Sequence, residues 1–599
     1  MNPRHLILPI LLLAIGCQAS PGPTALPITP TAPAPGPFPS LTPAPPGGTL
    51  IVGLDAAVDS LDPAAAYGAA SHIARCLYDT LVDVDTKGRI RPALATSWVV
   101  SPQGDAWTFT IRPDVHFHDG HTLTAADVAH TFRRLTEDTE QYGWPDPFAI
   151  IRSVRAIGDS TVVFTLTRPC ASFAEILADP RAGIVPADSG DSLAEHPVGT
   201  GPFRFAGWVR DDYVRLVRNE DYYQGPGVPA LAEVIFRILP NAEVRAKELE
   251  RGAIDVALAI APERVPTLAQ NGFVIRPVPL GAVVMLAINH ARPPFDDPRV
   301  RQALCYAVDR ALLVREAEGG YGYPVVGPLP PSSPFYQDFA ARYPPDLWKA
   351  RMLLAEAHVN LRVSILAARA YPAHVRAAQV VASQLGQVGI QATVQELDWA
   401  TFSRRVFGDR DYDLALVGHT ARLAPESMLW RYASDSPDNY SGYGSTDYDA
   451  LVAKAGALND TLVRAQVYEA MQSQLLDDAV AVFLYAPAQV TAHRATVLGL
   501  EAGPVDGYDL RTVRYAEPPA PETPPPPITE VPSPWPTKTE VAPPVLTETM
   551  PPTPLPTATA PGYPVATGTI TPALPTAPPV PGGYPAPETP AYPPPSSGQ

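Results

Sequence analysis

The sequence predicts an α/β protein with more than one lobe, and three observations lead there. The first is size. The chain has 599 residues, 46% of them hydrophobic, which is more core than one domain needs. The second is Trp107 to Leu135, which reads as a strand, a tight turn and a capped helix. The third is the segment from Leu361 to Val417, where strand and helix patterns alternate in βαβ order. That order implies a mainly parallel sheet covered by helices.

The ends are of a different kind. The 75 prolines lie largely there. Arg4 gives Met1–Cys17 a positive start, and Leu6 to Ile15 is apolar but too short to cross a bilayer. The run closes Ala14-Ile15-Gly16-Cys17, which resembles a lipobox with Ala14 where leucine is usual. A lipoprotein signal peptide over 1–17 is expected, with acyl chains on Cys17 and on the new N-terminus. Several chains, at about 0.8 kcal/mol per buried CH₂, anchor where one does not. The alternative is a plain secretory signal with an incidental cysteine. Residues 18–48 are Pro, Ala and Thr, too poor in apolar side chains for a core, and read as a disordered tether. At ~3.1 Å per residue in polyproline II it reaches ~90 Å. Residues 517–599 have the same composition and read as a disordered tail, a glycosylated stalk or a wall spacer. The formal charge of -17 disfavours nucleic acid and anionic lipid, so membrane contact is expected only through the lipid anchor.

Between the ends the elements follow in order. Thr49 to Leu54 is a short buried strand, and Leu61-Asp62-Pro63-Ala64 a loop. Ser71 opens a helix with Ile73, Leu77 and Leu81 on one face. In the next unit Phe109 and Ile111 alternate with Thr108, Thr110 and Arg112, the period of a half-buried strand. Asp119-Gly120 makes the turn, and Thr124 with Asp127 three residues on forms a capping box. Val128, Phe132 and Leu135 are the buried stripe. Thr161 to Thr167 alternates as a strand, and Pro197-Val198-Gly199-Thr200-Gly201-Pro202-Phe203 is a glycine-rich crossing with no Walker lysine after it. Val283 to Ile288 is a strand, followed by Asn289 and a helix with Asp297 at its N-cap and Pro298 at N1. Val300, Leu304, Ala307 and Val308 are its stripe. In the βαβ series Val363 and Ile365 lie in one strand, and Ile390, Ala392 and Val394 in another. Between them Val375, Ala378, Ala382 and Leu385 stripe a helix that stops at Gly389. Asp460 caps a helix carrying Leu462, Ala465, Tyr468 and Leu475, and Ala479 to Tyr485 is a buried strand.

Several of these stretches carry a resemblance. WTFTIRPDVHFHDGHTLTAADV resembles the signature of the extracellular solute-binding proteins, family 5, of ABC transporters, a group that includes dipeptide-, oligopeptide- and nickel-binding proteins. LDPA, LYDTLV, RPALATSW, PVGTGPF, RNEDYY, RGAID and the run from Asn289 through Arg301 to Arg310 match further family patterns in order, from about Thr49 to Ala516. The proline-rich tail departs from the family. The resemblance implies a two-lobed periplasmic-binding-protein-like fold (type II, cluster C) with an extra subdomain inserted in lobe I. The boundaries implied are 49–285 for lobe I, with the insert about 84–195, 286–486 for lobe II, and 487–516 for the return to lobe I. It implies a monomeric binding protein, extracytoplasmic and lipid-anchored to the outer face of the cell membrane or periplasmic. Such a protein closes on a small solute and delivers it to an ABC permease. No catalysis, cofactor or metal is implied. An extracellular sensor or adhesin on the same fold, and a metal-dependent hydrolase, are the competing classes. The sequence shows no G-x-S-x-G, H-E-x-x-H or S-x-x-K set.

The motif positions His118, Asp119, Gly120, Asp127, Gly199, Thr200, Gly201, Pro202, Phe203, Asn289 and Arg301 are read as structural. His116, His118, Asp119 and His121 have the ligand types of a zinc or nickel site, but a turn with solvated strand ends is the favoured reading. Ligand-binding candidates are Tyr67, Trp399, His419, Arg422, Trp430, Tyr440 and Tyr443; the five aromatic ones suit a core at least as well, and Arg422, whose planar fork suits a carboxylate or phosphate, has solvent or a pairing with Asp435 or Asp438 as its alternative. In peptide-binding relatives a segment like GW.aDY.DP places an Asp on the peptide ammonium. Here Arg422 falls near that Asp and His419 near the Trp, which predicts a solute other than an ordinary peptide held by its amino terminus. Cys76, Cys170 and Cys305 remain beside Cys17, an odd number. Buried thiols are expected, although a Cys76–Cys305 disulfide across the lobes would lock a hinge.

Overall fold

A computed structural model describes residues 47–137, 148–420, 423–458, 460–503 and 507–516. Cys17, Arg422 and both proline-rich ends lie outside the described residues. The fold is organised on one long strand, Ala481–His493, of 13 residues. Its first part pairs antiparallel with Ala282–Ile288 in lobe II. Its last part pairs with Val274–Pro279 and Val256–Ala257 in lobe I. A sheet of 12 strands therefore runs unbroken through both lobes.

In lobe I, Thr49–Leu54 lies parallel to Glu233–Ile238 and Val256–Ala257, and Tyr213–Arg218 and Phe203–Val209 extend the sheet antiparallel. Leu50, Val52, Leu216 and Phe236 pack with Ile73 and Leu77 of the helix Ala69–Leu77 in one buried cluster. That helix is shorter than its apolar spacing suggests. Tyr78 turns extended, and the chain leaves for the inserted subdomain, so Leu81 belongs to the subdomain's core. The subdomain is a four-stranded antiparallel sheet, Ala95–Val100, Ala106–Ile111, Thr161–Leu166 and Ile151–Ile157 in spatial order. The helix Ala125–Glu137 packs on it through Val128, Phe132 and Leu135. Phe132 meets Phe164 edge-on at 4.9 Å, and Phe164 meets Phe109 at 5.6 Å. Such pairs contribute roughly 0.5–1.5 kcal/mol each beyond area burial.

In lobe II, Arg362–Ala368 lies between Gln391–Leu397 and Leu414–Thr420, all three parallel. Beyond them the sheet turns antiparallel at Ala282–Ile288 and stays so at Ala481–His493, so it is mixed and not mainly parallel. The βαβ rule reads only the three strands joined by helices, while Ala282–Ile288 and the return strand come from distant sequence. Asp297 accepts from the Arg299 amide and Asp460 from those of Leu462 and Val463, as their spacing predicts. The stripe of the second helix, Thr461–Asp477, is different from the expected one. Leu462 is 79% exposed, and Arg464, Val467, Tyr468, Met471 and Leu475 face inward. Its first turn is anchored by an arginine, which a hydrophobic pattern does not count. The thiols Cys76, Cys170 and Cys305 are free and buried.

Candidate functional site

The family motifs fix the frame. His118 Nε2 lies 3.1 Å from the Gly201 carbonyl, while its Nδ1 lies 3.3 Å from the Gly199 amide. One tautomer satisfies both, with Nε2–H donating and Nδ1 accepting. Burial lowers the His118 pKa to about 4, so the ring is neutral. Both nitrogens are engaged in joining the turn to the glycine-rich loop. His116 and His121 are exposed, and Asp119 accepts from the His121 amide within the turn. Asp127 accepts from the Thr124 amide at 2.8 Å and the Ala187 amide at 2.9 Å. Thr200 donates to Asp79, Phe203 is fully buried, and the Pro202 carbonyl accepts from the Asn219 amide. Asn289 donates to the carbonyls of Arg410 and Tyr412, and Arg301 to those of Phe295 and Asp478. Most of these contacts tie one stretch of backbone to another, while Thr200 bonds a side chain and Phe203 packs in the core.

The open side chains collect elsewhere. Solute sites in open α/β sheets lie beyond the carboxyl ends of parallel strands. In lobe II those ends are followed by Tyr371, by Trp399 and by the His419–Thr420 edge. Trp399 and Tyr371 are 45% and 46% exposed and meet edge-on at 5.8 Å. Trp399 stacks on Phe402 at 5.9 Å. A π-helical turn, Arg404–Gly408, sets Phe407 between Trp399 at 6.4 Å and Tyr440 at 5.0 Å. Tyr440 in turn lies 2.5 Å from His419 Nε2. The result is one line of aromatic contacts from Tyr371 to His419, exposed at Tyr371 and Trp399 and running into the lobe II core at Phe402 and Tyr440, the latter 6% exposed. His374 backs it so closely that a Cβ on Gly418 would stand 2.9 Å from its ring. Burial holds the His374 pKa at about 4, and burial, with Arg431 and His374 nearby, puts His419 well below the ordinary range. His419 is therefore neutral. Its Nδ1 accepts from Arg431 Nη1 at 2.7 Å, and its Nε2–H faces the Tyr440 oxygen.

The wall in lobe I is sparser. Thr49–Leu54 ends at Asp55, whose carboxylate lies 3.4 Å from the Gln489 side-chain nitrogen on the crossing strand.

Of the sequence-derived candidates, the fold brings Trp399, His419 and Tyr440 together. Tyr67 stands in lobe I, 46% exposed, with its hydroxyl accepting from Arg181 at 2.7 Å. Trp430 lies under the Arg168 guanidinium, where the inserted subdomain touches lobe II. Tyr443 belongs to the lobe II core: it is 6% exposed, and its hydroxyl donates to Asp478 at 2.6 Å. Sequence reading passed over Tyr371, His374, Phe407, Arg431 and Asp55. Tyr371 and Asp55 follow expected strands closely, a signal that strand ends alone could have given. Arg431 and Phe407 have none, since a turn of π-helix and a distant loop deliver them.

The sequence matches the family described as bacterial extracellular solute-binding proteins, family 5 Middle, over residues 89–440. It is 28% identical over 479 residues to the glutathione-binding protein GsiB of Escherichia coli O157:H7, covering 77% of this chain and 93% of that protein. It is 29% identical over 473 residues to a probable di/tripeptide-binding protein of Pseudomonas aeruginosa, covering 73% of this chain and 89% of that one. Among solved structures it is similar to the periplasmic binding protein DppA from Helicobacter pylori in complex with the peptide STSA. That likeness has a TM-score of 0.63 at 29% identity, over 78% of this chain and 98% of the other.

Proposed function

From the premise that the chain belongs to the bacterial extracellular solute-binding proteins of family 5, we propose that it captures a small polar solute between its lobes and delivers it to an ABC permease. The observation that carries this reading is the aromatic wall Tyr371–Trp399–Phe407–Tyr440–His419 at the carboxyl ends of the lobe II strands. Lobe I reaches the same strand, Ala481–His493, from its other end. Solute that touches both lobes favours the closed arrangement by its differential affinity, and closure is what a permease reads. Similar proteins are named for glutathione and di- or tripeptides, which makes peptide-like solutes the first class to try. Lipidation of Cys17 would hold the protein at the outer face of the membrane, with residues 18–48 as tether.

Native mass spectrometry of the purified protein should find a co-purified solute, and small-angle scattering should show compaction when that solute is added back. An unchanged radius of gyration at saturation would remove the closure mechanism. Replacing Cys17 by Ser should release the protein from the membrane fraction.

A further inference from the structure

We propose that the contact between the inserted subdomain and lobe II, centred on Glu175 and Arg464, is a latch that holds the lobes apart until solute closes them. The inference rests on the reading that the lobes close on solute, and adds what opposes closure. Two observations place the contact in the open arrangement. Trp399 and Tyr371 are 45% and 46% exposed, so lobe I does not cover the wall. In that same arrangement the contact is fully made. Arg464 Nη2 donates to the Glu175 carboxylate at 2.6 Å, and its Nη1 to the Ala171 carbonyl at 2.5 Å. Leu423 packs into the subdomain core, and the Arg168 guanidinium lies over Trp430. A Cβ on Gly456 of lobe II would stand 3.5 Å from the Pro169 carbonyl oxygen. Groups already packed together cannot approach further. Closing lobe II on lobe I therefore slides or parts them, and a hydrogen bond of this length has no slack for that.

The chemistry suits a contact that opens. Permanent interfaces satisfy their buried polar atoms. Here Arg464 Nε and Glu426 Oε2 are buried with no hydrogen-bond partner, although the other Glu426 oxygen accepts from the Tyr468 hydroxyl. Burial raises the Glu175 carboxyl above its ordinary range, and Arg464 beside it does not bring it back. Desolvation thus offsets what the charge pair contributes, and the unpaired atoms regain water when the contact parts. Such a latch biases the lobes by an amount that solute, touching both of them, can overcome.

The test uses the full chain stripped of bound solute. Glu175→Gln combined with Arg464→Met removes both charges together, so neither is stranded. Arg168→Gln trims the rim of the contact and leaves both cores alone. Small-angle scattering without solute should give both variants a smaller radius of gyration than the wild type, with the double variant the more compact. Glutathione and trialanine serve as binding probes. A probe that binds the wild type should bind the double variant several-fold tighter, by the factor by which the closed fraction rises. An equal radius in the folded variants overturns the inference. A larger radius does so too, because the contact would then hold the lobes together. Unchanged or weaker probe binding by the folded double variant also overturns it. If neither probe binds, the radii decide, and if the double variant does not fold, Arg168→Gln decides by its radius. Each of these failures leaves solute capture standing, since that reading fails separately, in a wild type that carries no solute and compacts with none.

Discussion

Arg464 of lobe II donates to the Glu175 carboxylate of the inserted subdomain at 2.6 Å, and the two side chains are only 3% and 9% exposed. Arg464 also reaches the Ala171 carbonyl. The pair joins the lobes at a place distinct from the crossing strands. Around it Leu423 packs into the subdomain core, Arg168 lies over Trp430, and a Cβ on Gly88 would stand 3.2 Å from Pro334. The closure proposed above would have to shear or break this contact. Losing one partner strands the other charge in the interior, at about 3–5 kcal/mol. Arg464→Met and Glu175→Gln are each expected to destabilise strongly, and the double variant less than their sum. Denaturant unfolding of the four proteins measures this. Additivity within ~0.5 kcal/mol would mean the pair is not coupled.

Gly199 has no room for a side chain. An added Cβ would stand 2.1 Å from the Leu77 carbonyl oxygen, and one at Gly201 would stand 2.5 Å from that of Cys76. The clash is with backbone, at the end of a buried helix, so nothing nearby can yield cheaply. Gly199→Ala is expected to lose about 3 kcal/mol or more, at the upper end for overpacking. A melting temperature equal to that of the wild type would count against this account of the motif.

Burial pushes the Asp79 carboxyl from 3.8 up to about 7, against Arg511 and the donated hydroxyls of Tyr222 and Thr200. The folded chain thus holds a proton that the unfolded chain has lost between about pH 4 and pH 7. Stability from this group falls as pH rises through that window, by a few kcal/mol at ~1.4 kcal/mol per unit. His72, His118, His290 and His374, each lowered by burial to about 4, act in the opposite sense and lose stability as pH falls below 6.5. Asp79→Asn should therefore gain on the wild type between pH 4.5 and pH 7.5. Parallel stability curves for the two proteins would refute the assignment.

The chain end should divide sharply at Ala516. Arg511 bonds Asp83 and Asp509 at 2.6 Å, Val513 is fully buried, and the Tyr515 hydroxyl donates to the Thr49 carbonyl and Asp255. A chain ending after Ala516 is expected to melt and bind as the full protein does. One ending after Gly503 should fall by several kcal/mol, since it leaves Asp83 short of a cation and uncovers Leu50's sheet. A large loss in the longer truncation product would show that residues 517–599 dock.

What the sequence determined by itself is local. The Asp127 carboxylate that reaches back to Thr124, the caps at Asp297 and Asp460 and the turn at Asp119-Gly120 all depend on contacts within a few residues. Backbone donors at a helix start must be satisfied nearby, so their partners are written nearby. The tertiary structure alone decided which side chains meet across distance. It sent Tyr443, a pocket candidate, into the core, and Leu462, part of an expected apolar stripe, into solvent. It made the lobe II sheet mixed, because Ala282–Ile288 arrives from lobe I and not through a helical crossover. It assembled the wall from Tyr371, Trp399, Phe407, His419 and Tyr440, and set Arg431 at its end. No periodicity encodes such a wall. Strand ends are neighbours only because the sheet's hydrogen bonds align them, and that alignment belongs to the folded chain as a whole.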